Sequence, residues 1–194
     1  MKATELTKQD LRSEFLNLRR QIKGEEKARI DALICEHFLL TDYYRRAKKI
    51  FMYSPFGSEI DVTLIAKRAM QEGKEVAYPI CNTENSTMTF HTVTSFNQLQ
   101  KGAYSIYEPS SGNSLAISDE NTVCLVPALA FNPQGYRIGY GKGYYDRFLK
   151  DFNGISVGLV YKRFVSDRIV IGEYDLPCDV LISEEGVFFS EYEQ

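Results

Sequence analysis

Val123-Cys-Leu-Val-Pro-Ala-Leu-Ala-Phe-Asn-Pro-Gln-Gly-Tyr-Arg-Ile-Gly-Tyr-Gly-Lys-Gly-Tyr-Tyr-Asp146 joins the most apolar run of this 194-residue chain to its most glycine-rich one. Residues 123–131 carry no charge and read as one central strand, because a strand covered on both faces of a sheet is a continuous apolar run. Beyond Phe131, Gly139, Gly141 and Gly143 alternate with Tyr140 and Lys142, and a helix is predicted to start at Tyr144 or Tyr145. A backbone freed of side chains can approach an anion and aim its N–H groups at it. Arg137 and Lys142 flank those donors, and Asp146 offers a hard oxygen ligand suited to magnesium. The stretch reads as a phosphate cradle. A glycine-rich turn that only links strand to helix, with Asp146 favoured in the first helical turn, accounts for the spacing equally well. The nucleotide P-loop is excluded, since Gly143 follows Lys142 and Tyr136 stands five before Gly141. The dinucleotide fingerprint fails too, because Tyr144 and Asp146 occupy the places of its third glycine.

Outward from this stretch, strands and helices alternate. Leu11, Phe15, Leu18 and Ile22 recur at helical spacing from Thr7 to about Gln21, with Thr7 and Asp10 placed as a capping box. Gly24 separates a second helix running through Ala28, Leu33, Ile34 and Phe38 toward Leu40. Lys49–Tyr53 and Glu75–Pro79 read as strands on either side of a helix capped by Asp61 and stopped at Gly73. Met88–Val93 alternates as a more exposed strand, residues 110–121 form a polar connection, and Ile155–Tyr161 and Val180–Ser183 are the last strands. The predicted fold is a single three-layer α/β domain over residues 1–194, with a mainly parallel central sheet and helices on both faces. Ligands in such sheets gather at strand carboxyl ends, where the turns after Tyr53, Phe131 and Val160 can converge.

Apolar residues make up 44% of the chain and charged ones 25%. This composition fits an ordinary globular domain with no apolar run long enough to cross a bilayer. The polar start Met1–Asp10 lacks the apolar centre of a secretion signal, so a cytoplasmic protein with no membrane partner is expected. Cys35, Cys81, Cys124 and Cys178 form no Cys-x-x-Cys pair and read as free thiols, with Cys124 and Cys178 buried. His37 and His91 are too few for a histidine-rich metal site and read as structural. The net charge of −3 disfavours a nucleic-acid partner and suits a small anionic ligand held in a local basic pocket.

Residues 135–147 resemble the signature of the 5-formyltetrahydrofolate cyclo-ligase family. Three shorter blocks agree in order and spacing: Lys8-Gln-Asp-Leu-Arg12, Ser58-Glu-Ile-Asp61 and Asp175-Leu-Pro-Cys-Asp179. The resemblance spans nearly the whole chain. It implies ATP- and magnesium-dependent closure of 5-formyltetrahydrofolate to 5,10-methenyltetrahydrofolate, through phosphorylation of the formyl oxygen, with release of ADP and phosphate. It also implies a site. Arg137, Ile138, Gly139, Tyr140, Gly141, Lys142, Gly143, Tyr144 and Tyr145 would bind ATP together with Lys8 and Arg12, which share a helix face. Arg137, Lys142 and Tyr145 would act on the reacting groups, Ser54 and Glu59 would touch the folate, and Asp146 and Asp175 would hold magnesium. Asp179 ranks below Asp175, because its place before Val180 suits strand entry. The chain departs from the family pattern at Asn132, Tyr174 and Val62, where Asp, His and Thr are common. A monomer or weak homodimer is expected.

Lys/Arg pairs are ordinarily solvated, and Arg19-Arg20 and Lys48-Lys49 read that way. Two other readings compete with the enzyme. A nucleotide- or sugar-phosphate-binding regulatory module would keep the cradle without turnover, but has no use for a carboxylate at Glu59 facing a pterin. A single-stranded nucleic-acid binder could use Tyr136, Tyr140, Tyr144 and Tyr145 with Arg137, Lys142 and Arg147, but its footprint is small and the rest of the chain acidic.

Overall fold

The computed structural model describes residues 6–110 and 112–190, and for 189 and 190 the backbone alone. Among them are five α-helices: α1 Lys8–Arg19, α2 Gly24–Leu40, α3 Asp42–Arg46, α4 Thr63–Gln71 and α5 Tyr144–Leu149. The strands are β1 Lys49–Phe51, β2 Glu75–Asn82, β3 Thr87–Thr92, β4 Leu99–Lys101, β5 Tyr107–Pro109, β6 Thr122–Val126, β7 Ala130–Phe131, β8 Arg137–Ile138, β9 Ile155–Leu159, β10 Val180–Ser183 and β11 Gly186–Ser190. Seven of them form one sheet in the order β11-β10-β9-β6-β1-β2-β3. Its five inner strands are parallel, and β3 and β11 close the two edges antiparallel. The expected α/β class and mainly parallel sheet are therefore present. The edge strand β11 and the small β4–β5 hairpin were not expected, and both are short returns of the chain.

The crossover β1-α4-β2 runs toward one edge of the sheet and β6-α5-β9 toward the other. Parallel crossovers are right-handed, so opposite directions place α4 and α5 on opposite faces. The chain thus diverges between β1 and β6, where Ile50 lies level with Val123. Helix α2 packs beside α4 and over β10 and β11. The short α5 is held by aromatic rings. Phe148 lies 4.7 Å from Phe90 and 5.4 Å from Phe152, and Phe51 stacks on Phe90 at 4.5 Å.

Four expectations are corrected. The run 123–131 is not one strand: β6 ends at Val126, before Pro127, which has no N–H to give a ladder. The chain then turns into the β7–β8 hairpin, whose bend is held by the Asn132 side chain accepting from Gln134 and Tyr136 N–H. Asp61 does not occupy the cap position of α4, which Val62 fills, but its carboxylate accepts from Thr63 N–H one turn position earlier. In α1 the capping box of Thr7 and Asp10 is present, yet the buried stripe is Leu11, Phe15 and Arg19, while Leu18 is exposed. Arg19 is 1% exposed, so it is no solvated surface cation. Lys49 is half-buried and paired with Asp119 at 2.9 Å. The cysteines are free, and Cys35, Cys124 and Cys178 are buried. His37 and His91 each bond a backbone carbonyl through Nδ1, of Ser183 and Asn113 respectively, which is a structural role. Among the described residues no helix is long and apolar enough to cross a membrane.

Asp31, on the buried face of α2, ties three elements together. Its Oδ1 accepts from the Tyr161 hydroxyl at 2.6 Å, and its Oδ2 accepts from Lys27 Nζ and from Asp61 N–H at 3.0 Å. Removing a buried carboxylate with such partners leaves a cation, a hydroxyl and an amide unpaired. Asp31→Leu should therefore lower the unfolding free energy by about 3–5 kcal/mol, read as a lower urea midpoint at unchanged slope, and Asp31→Asn by less.

Candidate functional site

The turns that leave the carboxyl ends of the adjacent strands β1 and β6 approach each other, Phe56 of one meeting Tyr140 of the other, and the space between them is the candidate cleft. After β1 the chain passes Tyr53 and Ser54 into the turn 55–59. After β6 it passes through the β7–β8 hairpin into residues 139–143 and then α5. Gly141 and Gly143 have φ of +87° and +70°, which L side chains rarely adopt. A Cβ on Gly141 would also come within 2.9 Å of the Arg12 guanidinium, and one on Gly143 within 2.7 Å of Arg147 Nη1. Gly139 meets no such obstacle. The N–H groups of residues 139–143 donate to no acceptor among the described residues. That is unusual for the main chain, whose donors are nearly always paired with protein or water, and it is the arrangement an anion cradle needs.

Cations surround this bridge. Arg12 Nε donates to the Gly139 carbonyl at 2.8 Å, so α1 pins the loop from one side. Lys8, one turn earlier on the same face, is ion-paired with Asp175. Arg137 is clamped by the Leu176 carbonyl at 2.8 Å and by Asp146 Oδ1 at 2.7 Å, and Asp146 Oδ1 also accepts from Leu176 N–H. Lys142 is exposed and has no ion pair among the described residues. Lys8, Arg12, Arg137, Lys142, Asp146 and Asp175, from three separate stretches, are thus brought to one place. Asp179 has other partners: its Oδ2 accepts from both the N–H and the hydroxyl of Ser156, bracketing β10 to β9.

The other wall is the turn after β1. Glu59 is buried, and Phe56 N–H donates to its Oε2 at 2.8 Å. Burial pushes its carboxyl up to about 7, opposed by that N–H and by the charges of Arg19 and Lys27. Ser54 is buried as well, and its hydroxyl donates to the Tyr107 carbonyl. Tyr140 leans from the glycine bridge toward this wall, its ring edge-on to Phe56 at 6.4 Å. Burial raises its hydroxyl to about 12, with Glu59 adding to the shift. Tyr145 is half-buried against the core, and burial drives its hydroxyl well above the ordinary value, with Glu59 and Arg137 both in its field. Tyr144 points another way, its hydroxyl 3.4 Å from that of Tyr104 and 3.5 Å from the Asn82 carbonyl. Ile138 is buried in the hairpin and joins the cleft through its backbone.

Two residues beside the cleft escape sequence reasoning. Phe56 has no signal beyond its aromatic nature in a Pro-Phe-Gly turn. Arg19 has one, since it continues the four-residue spacing of Leu11 and Phe15. Of the departures from the family pattern, Asn132 organises the hairpin, Val62 is buried at the start of α4, and Tyr174 is 79% exposed.

The carboxylates also pass a test for magnesium. Among the described residues no three His, Cys, Asp or Glu side chains form a ready-made cage. Asp146 and Asp175 each use one oxygen in the contacts above and keep the other free of any protein hydrogen bond. Magnesium bound with nucleotide takes one or two carboxylates and completes its shell with water and phosphate oxygens, so this donor set fits it.

Known proteins resemble the chain over almost all its length. The NMR structure of 5,10-methenyltetrahydrofolate synthetase from Aquifex aeolicus superposes with a TM-score of 0.85 at 31% identity, over 97% of this chain and 95% of that one. The 5-formyltetrahydrofolate cyclo-ligase of Mus musculus is 26% identical over 92% of this chain and 94% of its own length. A probable 5-formyltetrahydrofolate cyclo-ligase of Caenorhabditis elegans is 29% identical over 95% and 96%. The model of the 5-formyltetrahydrofolate cyclo-ligase family matches residues 4–184, carrying the cleft walls and the glycine bridge alike, and the chain belongs to that family.

Proposed function

We propose that this protein closes 5-formyltetrahydrofolate to 5,10-methenyltetrahydrofolate at the expense of ATP, releasing ADP and phosphate. The observation that carries the reading is the row of amides at residues 139–143, unpaired among the described residues, ringed by Arg12, Arg137 and Lys142, with Tyr140 of that row in the field of the buried Glu59.

A formamide oxygen is a poor leaving group, and phosphorylation makes it a good one. The formyl oxygen attacks the terminal phosphorus of ATP and ADP departs. The 10-nitrogen of the folate then attacks the activated carbon and loses its proton as phosphate leaves with the former formyl oxygen. Phosphoryl transfer of this kind depends on positioning and on neutralising oxygens that gather charge. The amides of 139–143, Arg137 and Lys142 do this work, while Lys8 and Arg12 reach the phosphates from α1. Asp146 and Asp175 would hold magnesium, which when bound would shield the phosphate oxygens. Glu59 accepts from the N–H donors of the pterin, a carboxylate being an acceptor with no donor of its own when ionised. Tyr145, lying in the field of both Glu59 and Arg137, stands where the formyl group meets the phosphate. Ser54 holds the Tyr107 segment against the cleft and borders the folate. The reaction is cytoplasmic one-carbon chemistry on small molecules.

Mixing the protein with 5-formyltetrahydrofolate, ATP and magnesium should produce the absorbance of the methenyl product. Nucleotide binding without that product would leave a phosphate-binding module instead. Lys142→Ala should lower kcat about 100-fold or more while changing stability by less than about 0.5 kcal/mol, because the side chain is exposed and unpaired. A matching loss of Tm would assign Lys142 to the fold.

Glu59→Gln should raise the KM for folate roughly tenfold or more and leave that for ATP nearly unchanged. The ordinary value of this carboxyl is 4.5 and its folded value about 7. The folded state therefore holds the extra proton between these limits. Stability from this group is complete below 4.5 and declines as pH rises through 7, whereas folate affinity from its ionised form rises over the same window. Glu59→Gln should flatten both trends, and a folate KM unmoved by the substitution would take Glu59 out of the substrate wall.

A further inference from the structure

Among the described residues, Arg19 is the largest fully buried side chain that carries a charge. No carboxylate pairs with it among the described residues. Its guanidinium instead forks onto two carbonyls, donating from Nη2 to Ser58 at 2.7 Å and from Nη1 to Leu129 at 3.3 Å. It lies over the Tyr161 ring at 4.8 Å and the Phe164 ring at 5.7 Å, and the Tyr161 hydroxyl is in turn fixed by Asp31. Its Nε and the neighbouring Ser58 hydroxyl oxygen are buried with no hydrogen-bond partner among the described residues.

The two carbonyls belong to the two walls of the cleft. Ser58 precedes Glu59 in the turn after β1, and Leu129 leads into the β7–β8 hairpin, its own N–H bonded to the Ile138 carbonyl at 2.7 Å. A burial of this kind is costly, since a cation removed from water needs strong compensation. Two neutral carbonyls and an aromatic face compensate in part, which leaves a net positive field in the cleft wall. We propose that Arg19 is a positioning residue that holds the Glu59 turn at a fixed distance from the arm of the glycine bridge and supplies the positive charge that keeps the Glu59 carboxylate available as an acceptor. The assignment of Arg19 rests on the reading of Glu59 as a folate contact, although the link between the two side chains does not.

Glu59 is faced by Arg19 from α1 and Lys27 from α2, both favouring its ionised form. Tyr53 from the end of β1, Tyr140 from the glycine bridge and Tyr145 from α5 also lie within its field. The tyrosines are neutral over the range in which Glu59 titrates, because burial raises all three hydroxyls. Lys27 is committed to Asp31. Arg19 is therefore the charge with no carboxylate of its own to neutralise it.

The test compares Arg19→Met and Arg19→Lys, each alone and combined with Glu59→Gln. The Glu59 carboxyl carbon, labelled with 13C and identified by its loss in Glu59→Gln, reports the titration without any substrate. Arg19→Met should move its midpoint upward by roughly one pH unit, and Arg19→Lys should leave it close to the parent value. A folded Arg19→Met with an unmoved midpoint would overturn the proposal. Lysine keeps the charge but cannot bridge two carbonyls with one fork. Arg19→Lys should therefore raise the KM for folate several-fold and hold the KM for ATP and kcat near the parent values. Equal changes in both KM values, or none in either, would overturn it even where Arg19→Met does not fold. In the Glu59→Gln background neither substitution should alter the pH dependence of the folate KM, and a persisting change would assign the effect to general damage. If Glu59→Gln alone leaves folate binding intact while the carboxyl midpoint still follows Arg19, the folate reading fails and the electrostatic link stands.

Discussion

The divergence of the chain between β1 and β6 is the constraint from which the site follows. Two parallel strands lie side by side, and their crossovers depart in opposite directions. Neither crossover helix can cover the seam, so the turns leaving the two strands rise on either side of an open crevice. One turn carries Ser54 and Glu59, and the other carries Arg137 to Asp146. Their proximity is a property of strand order, and α1 then completes the crevice by laying Arg12 against the second turn and Lys8 against Asp175 beside it.

Charge in the crevice is already balanced by the protein itself. Lys8 meets Asp175 and Arg137 meets Asp146, so the residues suited to phosphate and those suited to a metal are each other's partners. A fold with these cations unpaired would carry their mutual repulsion, and one with the carboxylates unpaired would carry the same for anions. Arg12 and Lys142 stand outside these pairs and give the site its positive excess.

Much of this was legible in the residues themselves. Apolar periodicity places α1, α2, α4 and the inner strands, and the spacing of Gly139, Gly141 and Gly143 marks the bridge. Elements that depend on distant partners were not legible. The first strand of the β7–β8 hairpin hides at the end of an apolar run, and its local signals, Pro127 before it and Asn132-Pro-Gln-Gly135 at its bend, mark a break and a turn without saying that the two short strands pair. β11 and β4 exist because an edge or a neighbouring strand awaits them, and no local pattern reports that. Arg19 shows the limit most clearly: its sequence neighbour Arg20 is exposed, and the difference lies in carbonyls and rings that are 39 to 145 positions away along the chain. Asp146 and Asp175 are chemically recognisable as acids from their letters, but their engagement with Arg137 and Lys8 is visible only in three dimensions.

The aromatic stack of Phe51, Phe90, Phe148 and Phe152 has a consequence for the bridge that precedes it. Anchoring α5 to the sheet fixes one end of residues 139–143, and the β7–β8 hairpin fixes the other. Five residues strung between two immovable posts have few shapes left to them, so the conformational entropy of ordering the amides is spent when the chain folds. On the proposed function, a triphosphate arriving later would meet donors already in place, and its binding energy would be left for the work of orientation.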